Sequence, residues 1–117
     1  MLAMIKDMQV NVVGGGIGGL AVATALAQRG AEVTVLEQAG EISEVGAGLQ
    51  ISPNGLCVLR ALGIEDALAA CSSRGQAVSL RRAESDFEVA RLDLRKLGAR
   101  QHYHFVHRAD LVNLLLT

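Results

Sequence analysis

The sequence predicts an α/β fold that opens with a strand–helix–strand unit and continues into a β-rich segment. Three observations support this prediction: a β-branched run at 9–13, a glycine-rich run at 14–19, and a second β-branched run at 32–36. The 117 residues are 50% hydrophobic and 20% charged, the composition of an ordinary globular protein. We therefore expect at most one domain.

The first elements follow from the hydrophobic pattern and from residues that end helices and strands. Three valines give Gln9–Val13 the pattern of a short buried parallel strand that stops at glycine. The alanine-rich run 17–29 predicts a helix capped by Gly30, and Glu32–Leu36 predicts a second strand that ends at an acid. This order is that of a Rossmann-like βαβ unit.

The pattern of the remaining chain predicts shorter elements, identified by proline, by glycine and by the alternation of apolar and polar residues. They are a loop at 39–51, a helix that begins at Pro53 with Ser52 as its N-cap and is ended by Gly63, a short helix at 65–70, strands at 76–81 and 87–92, and a helix at Arg108–Leu116. We expect three parts: 1–74 as the βαβ unit with its helices, 75–107 as a β segment, and 108–117 as a helix that returns to the first part.

Charge and cysteine content exclude several classes of function. A formal net charge of −1 leaves no basic field for nucleic acid. Cys57 and Cys71 form no CxxC pair and lie in apolar helical stretches, so we expect buried thiols in a reducing cytoplasm. His102, His104 and His107 invite a metal interpretation, but no cysteine or acidic cluster lies close to them in sequence, so we expect no metal site.

The uncharged run 10–27 imitates a signal peptide or a membrane span. Five glycines within positions 14–19 are poor helix formers, whereas a strand–turn–helix gives each of them a role. We therefore expect no integral membrane span.

The glycine run carries the chemistry, because Gly14, Gly16 and Gly19 form a Gly-x-Gly-x-x-Gly motif between a predicted strand and a predicted helix. In this context the first glycine makes the tight turn, the second admits a pyrophosphate, and the third allows close helix–strand packing. Phosphate would then lie at the helix N-terminus near Ile17. Glu37, at the end of the second strand, is placed to accept hydrogen bonds from a ribose.

Two alternatives stay open at this point. The glycines could make only a tight turn, with Glu37 as a solvated strand end. The motif also does not separate FAD from NAD, because both present an adenosine diphosphate.

Two later segments give a more specific resemblance. One is the run from Gly46 to Gly55 (GAGLQISPNG) with the LRALG that follows it, and the other is HRADL from His107. Both resemble segments of the FAD-dependent aromatic hydroxylases. These are single-component flavoprotein monooxygenases of the salicylate hydroxylase and 3-hydroxybenzoate 6-hydroxylase type. The three motifs follow that family's order and approximate spacing, over 10–116.

The resemblance implies FAD as cofactor, NADH or NADPH as transient co-substrate, and a small aromatic acid as substrate. It also implies that the segment at 75–107 begins a substrate domain. Catalytic residues stay unassigned, but the resemblance implies a set of residues that contact the cofactor. That set is Gly14, Gly16, Ile17, Gly18, Gly19, Glu37, Gln38, Gly48 and Arg108. On physical grounds alone, Arg108 at a helix start either contacts an anion or pairs with a carboxylate such as Asp110.

Members of that family are several times longer than this chain. We therefore expect an incomplete domain that holds a nucleotide without hydroxylating a phenol, and whose unfinished sheet edge favours self-association. A non-catalytic nucleotide-binding fragment and the start of an NAD-dependent dehydrogenase are the alternative functions.

Overall fold

The structure, a computed structural model, describes residues 4–41 and 47–117. The described residues form seven strands and four α-helices. The strands are β1 (Gln9–Val13), β2 (Glu32–Leu36), β3 (Gly48–Ile51), β4 (Ser73–Arg74), β5 (Ala77–Arg81), β6 (Glu88–Asp93) and β7 (His104–His107). The helices are α1 (Ile17–Ala27), α2 (Pro53–Ala61), α3 (Glu65–Cys71) and α4 (Arg108–Leu116). The predicted mixed α/β fold is confirmed.

The opening βαβ unit has the predicted arrangement. β1 and β2 pair in parallel, from Gln9 opposite Glu32 to Val13 opposite Leu36, and α1 connects them. The prediction placed the end of α1 two residues too late, because the helix ends at Ala27. Gly30, with φ +90°, turns the chain after it, and its N–H donates to the Ala27 carbonyl at 3.0 Å.

A second, three-stranded antiparallel sheet has the order β3, β7, β4. The predicted loop at 39–51 is therefore wrong for Gly48–Ile51, which pairs with His104–His107. A four-residue strand whose partner lies more than fifty residues further along has no local sign of that pairing. β7, which lies in the predicted 75–107 part, pairs with β3 and β4, which both lie in the predicted 1–74 part. The division into three parts stays a prediction.

The predicted strands at 76–81 and 87–92 form an antiparallel hairpin, β5 with β6. Their observed bounds differ by one residue from the prediction, and a register irregularity lies between Leu80 and Arg81. Asp86, in the predicted polar turn, adopts φ 55°, a conformation that aspartate tolerates better than most residues.

The core is built mainly of leucines from all four helices, together with β7. Its fully enclosed side chains include Leu56 and Leu68, both 0% exposed, and Leu111 and Val112, both 1% exposed. The later helices lie where the sequence predicts them: Ser52 is the N-cap of α2, and the acids of α3 lie in its first turn.

The prediction of two buried cysteines is wrong, because Cys57 and Cys71 are free thiols on exposed residues. The reason is the rotation of the helix: the buried stripe of α2 is formed by Leu56 and Leu59, with Leu62 directly after the helix, so Cys57 lies beside the stripe.

Candidate functional site

The glycine turn and the acid after β2 lie side by side at the carboxyl ends of the two parallel strands. The Gly14 N–H donates to the Leu36 carbonyl at 2.7 Å, which extends the strand pairing by one residue. Gly15 and Glu37 follow these two residues directly. A carboxyl-end crevice between parallel strands is where α/β sheets bind their ligands.

Each glycine of the motif has a distinct steric environment. Gly14 has φ +104°, a conformation that L side chains rarely adopt. A Cβ atom at Gly19 would lie 1.9 Å from the Gly14 carbonyl oxygen, so only glycine lets α1 pack this closely on the turn. At Gly16 and Gly18, by contrast, an added Cβ would meet no atom of the described residues within 4 Å. The space over Gly16 and Gly18 is open for a ligand.

The start of α1 presents unused hydrogen-bond donors to that space. Gly16 is the N-cap, with φ −76° and ψ −178°, and within the described residues no side chain caps the helix through a hydrogen bond. First-turn amides of an α-helix have no acceptor inside the helix, and their end of the helix carries a partial positive charge. The N–H groups of Ile17 and Gly18 are therefore suited to bind phosphate oxygens.

The Glu37 carboxylate accepts two backbone hydrogen bonds. Oε2 lies 2.6 Å from the Gly15 nitrogen, and Oε1 lies 3.1 Å from the Ala39 nitrogen. The N–H groups of Ala39 and Gly15, with a further contribution from Gln38, lower the pKa of this carboxyl below its usual 4.5, against the opposing effect of burial. Glu37 is therefore an anion at neutral pH, while Gln38 itself is exposed.

Gly48 and Arg108 come together at the end of the second sheet. Gly48 lies opposite His107 in the β3–β7 pair, and the Arg108 N–H donates to the Ala47 carbonyl at 2.8 Å. The predicted loop before Gly48 includes Gly46, which lies outside the described residues.

The helix that Arg108 begins, α4, packs against α1. The Thr24 hydroxyl of α1 donates to the Leu115 carbonyl of α4 at 3.3 Å. The two bonded residues lie at matching positions in their helices, because Leu115 follows Arg108 by seven residues and Thr24 follows Ile17 by the same number. The closeness of Arg108 to the glycine turn stays a prediction.

The three histidines have different surroundings. His104 is buried, with Nδ1 2.8 Å from the Ser72 hydroxyl, whereas His107 is exposed on the other face of β7. Burial first, and then the nearby His102 and Arg74, lower the pKa of His104 below 6.5. His104 is therefore a buried, hydrogen-bonded imidazole rather than a surface one. In the described parts of the chain, no group of three His, Cys, Asp or Glu side chains is placed to hold a metal ion.

Sequence reasoning missed the partners of Glu37. Neither Gly15 nor Ala39 is among the residues predicted to contact the cofactor, although each lies within two residues of one that is. The only available sign was their position at the ends of two strands expected to be parallel and adjacent. Across residues 4–41 and 47–117, every helix is too short or too polar to cross a membrane.

Comparison with known proteins identifies relatives along nearly the whole chain. Residues 7–116 match a family model described as FAD binding domain. The 3-amino-4-hydroxybenzoate 2-monooxygenase of Streptomyces cremeus is 40% identical over 109 residues, which are 91% of this chain and 28% of that relative. The 3-hydroxybenzoate 6-hydroxylase of Klebsiella oxytoca is 36% identical over 112 residues, 92% of this chain and 28% of the relative.

A solved structure agrees with these relatives. Klebsiella pneumoniae HpxO complexed with FAD and uric acid superposes with a TM-score of 0.75 at 30% identity, over 93% of this chain and 28% of HpxO. The chain thus spans 28% of the length of each of these proteins.

Proposed function

The chain belongs to the FAD binding domain family, in its aromatic-hydroxylase group of flavoprotein monooxygenases, and from this we infer that its own function is to bind FAD at the glycine turn. The pyrophosphate would lie over Gly16 and accept hydrogen bonds from the amides of Ile17, Gly18 and Gly19. FAD supplies redox and oxygen chemistry, and these residues supply its placement.

One observation carries the proposal: the Glu37 carboxylate and the glycine turn lie within a hydrogen bond of each other, at 2.6 Å between Oε2 and the Gly15 nitrogen. A dinucleotide needs phosphate donors and a ribose acceptor on neighbouring parts of one crevice. A turn that served only to reverse the chain would not require open space over Gly16 and an ionised acid beside it.

The remaining candidate residues would hold the flavin half of the cofactor. Gly48 and Arg108 adjoin each other at the β3–β7 end, and the Arg108 guanidinium offers forked donors suited to phosphate or ribityl oxygens. Gln38, exposed directly after Glu37, would contact the adenosine side.

For a protein of the relatives' full length that contains this chain, we propose a monooxygenase that uses NADH or NADPH to hydroxylate a small aromatic acid. The support is the likeness to an aminohydroxybenzoate monooxygenase and a hydroxybenzoate hydroxylase. The two free cysteines of this chain, Cys57 and Cys71, are in keeping with a reducing cytoplasm.

A flavin titration with matched glycine variants tests the binding proposal. Wild-type chain is titrated with FAD, and separately with NAD, by flavin fluorescence and calorimetry. Gly16→Val should weaken FAD binding by about a hundredfold, because the side chain fills the phosphate space, yet change the free energy of unfolding by less than about 1 kcal/mol.

Gly98→Val is the matched control. A Cβ at Gly98 would meet only the Gln101 side chain, at 3.8 Å or more, and the residue lies in a loop remote in sequence from the turn. Equal FAD affinity in the Gly16 and Gly98 variants would contradict the proposal, and tight NAD binding without FAD binding would favour the dehydrogenase alternative.

A further inference from the structure

Glu37 joins two chain segments through its two carboxylate oxygens. Its Oε2 accepts from Gly15 in the turn after β1, and its Oε1 accepts from Ala39 beyond β2. The carboxylate therefore has a structural contact with the glycine turn that is separate from a ribose contact.

This contact divides the amides of the turn into two sets. The Gly15 N–H points to Glu37, whereas the N–H groups of Ile17 and Gly18 open the helix and have no intrahelical acceptor. Hydrogen bonds to an ionised carboxylate are about twice as strong as those between neutral groups. The first set orients the turn, and the second set is left for phosphate.

The turn needs such an external restraint because it contains three consecutive glycines. Glycine loses more conformational freedom on ordering than any other residue. The backbone bond from Gly14 to Leu36, at 2.7 Å, fixes the beginning of the turn, and the helix fixes its end at Gly16. The bond from Gly15 to Glu37 fixes the residue between them.

We propose that Glu37 is a positioning residue that holds the glycine turn in its nucleotide-ready conformation, in addition to any contact with ribose. This inference rests on the proposed function, because it concerns the turn that would receive FAD. A turn already ordered before binding loses less entropy when the nucleotide arrives, so affinity rises without a new contact.

Amide hydrogen exchange in the nucleotide-free chain tests the restraint directly. In Glu37→Ala the Gly15 amide should exchange about tenfold faster than in the wild type, because its acceptor is gone. Glu37→Gln keeps a neutral acceptor and should give an intermediate rate. The control is Glu32→Gln, an exposed acid of β2 whose one side-chain hydrogen bond within the described residues is from Gln9 Nε2, at 3.4 Å. Unchanged Val12 and Val35 amides would show that the sheet is intact.

A second measurement separates positioning from ribose binding. Each variant is titrated with FAD and with an FAD analogue carrying 2′,3′-dideoxyadenosine, whose adenosine sugar has no hydroxyl to donate to Glu37. If Glu37 positions the turn, Glu37→Ala weakens binding of both ligands, by about tenfold or more for FAD. If it acts only through the ribose, the variant loses affinity for FAD but binds the dideoxy analogue as the wild type does.

The two proposals fail in different ways. An unchanged Gly15 exchange rate in Glu37→Ala, or unchanged binding of the dideoxy analogue, would overturn the positioning role and leave FAD binding standing. A wild-type chain that binds neither FAD nor its analogue would overturn the proposed function, while the Gly15 exchange rates would still report on the restraint.

Discussion

Gly19 lies so close to Gly14 that a Cβ atom on Gly19 would be 1.9 Å from the Gly14 carbonyl oxygen. The same atom would lie 3.5 Å from Val12 Cγ1 of β1. The approach of α1 to the end of β1 is thus set by the absence of one side chain. Because the nearest atom is backbone, no side-chain rotation can relieve the clash.

Gly19→Ala should therefore lower the free energy of unfolding by about 1–3 kcal/mol, the usual cost of forced overpacking. Urea unfolding followed by circular dichroism measures it. Gly18→Ala is the control: it adds a methyl group to open space on the same helix and should stabilise the chain by about 0.4–1 kcal/mol. If both variants unfolded at the same urea concentration, the close approach would be refuted.

Arg108→Lys should weaken FAD binding by about tenfold or more, because lysine keeps the charge but loses the planar, forked donors. The dissociation constant is measured by flavin fluorescence. Arg82→Lys, at an exposed residue in the hairpin turn, should leave the affinity unchanged. A lysine variant with wild-type affinity would show that Arg108 does not contact the nucleotide.

Glu37 should make stability depend on pH in the acid range. Its pKa in the folded chain is lower than 4.5, so its contribution to stability is complete above that value and is lost as pH falls through the folded pKa. The difference in unfolding free energy between wild type and Glu37→Gln should shrink steadily below pH 4.5. A difference that stays constant down to pH 2 or so would mean that the carboxylate charge contributes nothing.

His104 should make stability depend on pH in a higher range than Glu37 does. Because burial and neighbouring His102 and Arg74 lower its pKa below 6.5, the unfolded chain binds a proton there more readily than the folded chain. Stability should therefore fall as pH drops below 6.5, and His104→Gln should reduce that slope. An NMR titration of the His104 ring with a midpoint at or above 6.5 would contradict this.

Leu56→Ala should lower the free energy of unfolding by about 2–5 kcal/mol, because the side chain is 0% exposed and its removal leaves a cavity. Val58→Ala, on the same helix but 55% exposed, should cost less than about 1 kcal/mol. Thermal and urea unfolding of both variants measure the difference. Equal costs would mean that α2 packs on a different face.

The sequence by itself determined the features that depend on nearby residues. The elements of the βαβ unit were predictable because each has its own local pattern and end signal. They are the Gln9–Val13 strand, the turn beginning at Gly14, the helix that follows and the strand ending before Glu37. The family was predictable for a related reason, since several short motifs occur in a fixed order and their joint occurrence is specific.

Only the tertiary structure decided which segments meet across long stretches of chain. Gly48–Ile51 became a strand because His104–His107 pairs with it, and Cys57 is exposed because Leu56 and Leu59 set the rotation of α2. The bond from Gly15 to Glu37 likewise joins residues twenty-two positions apart. Such contacts depend on how elements pack, and packing free energy is spread over many residues rather than encoded in one local pattern.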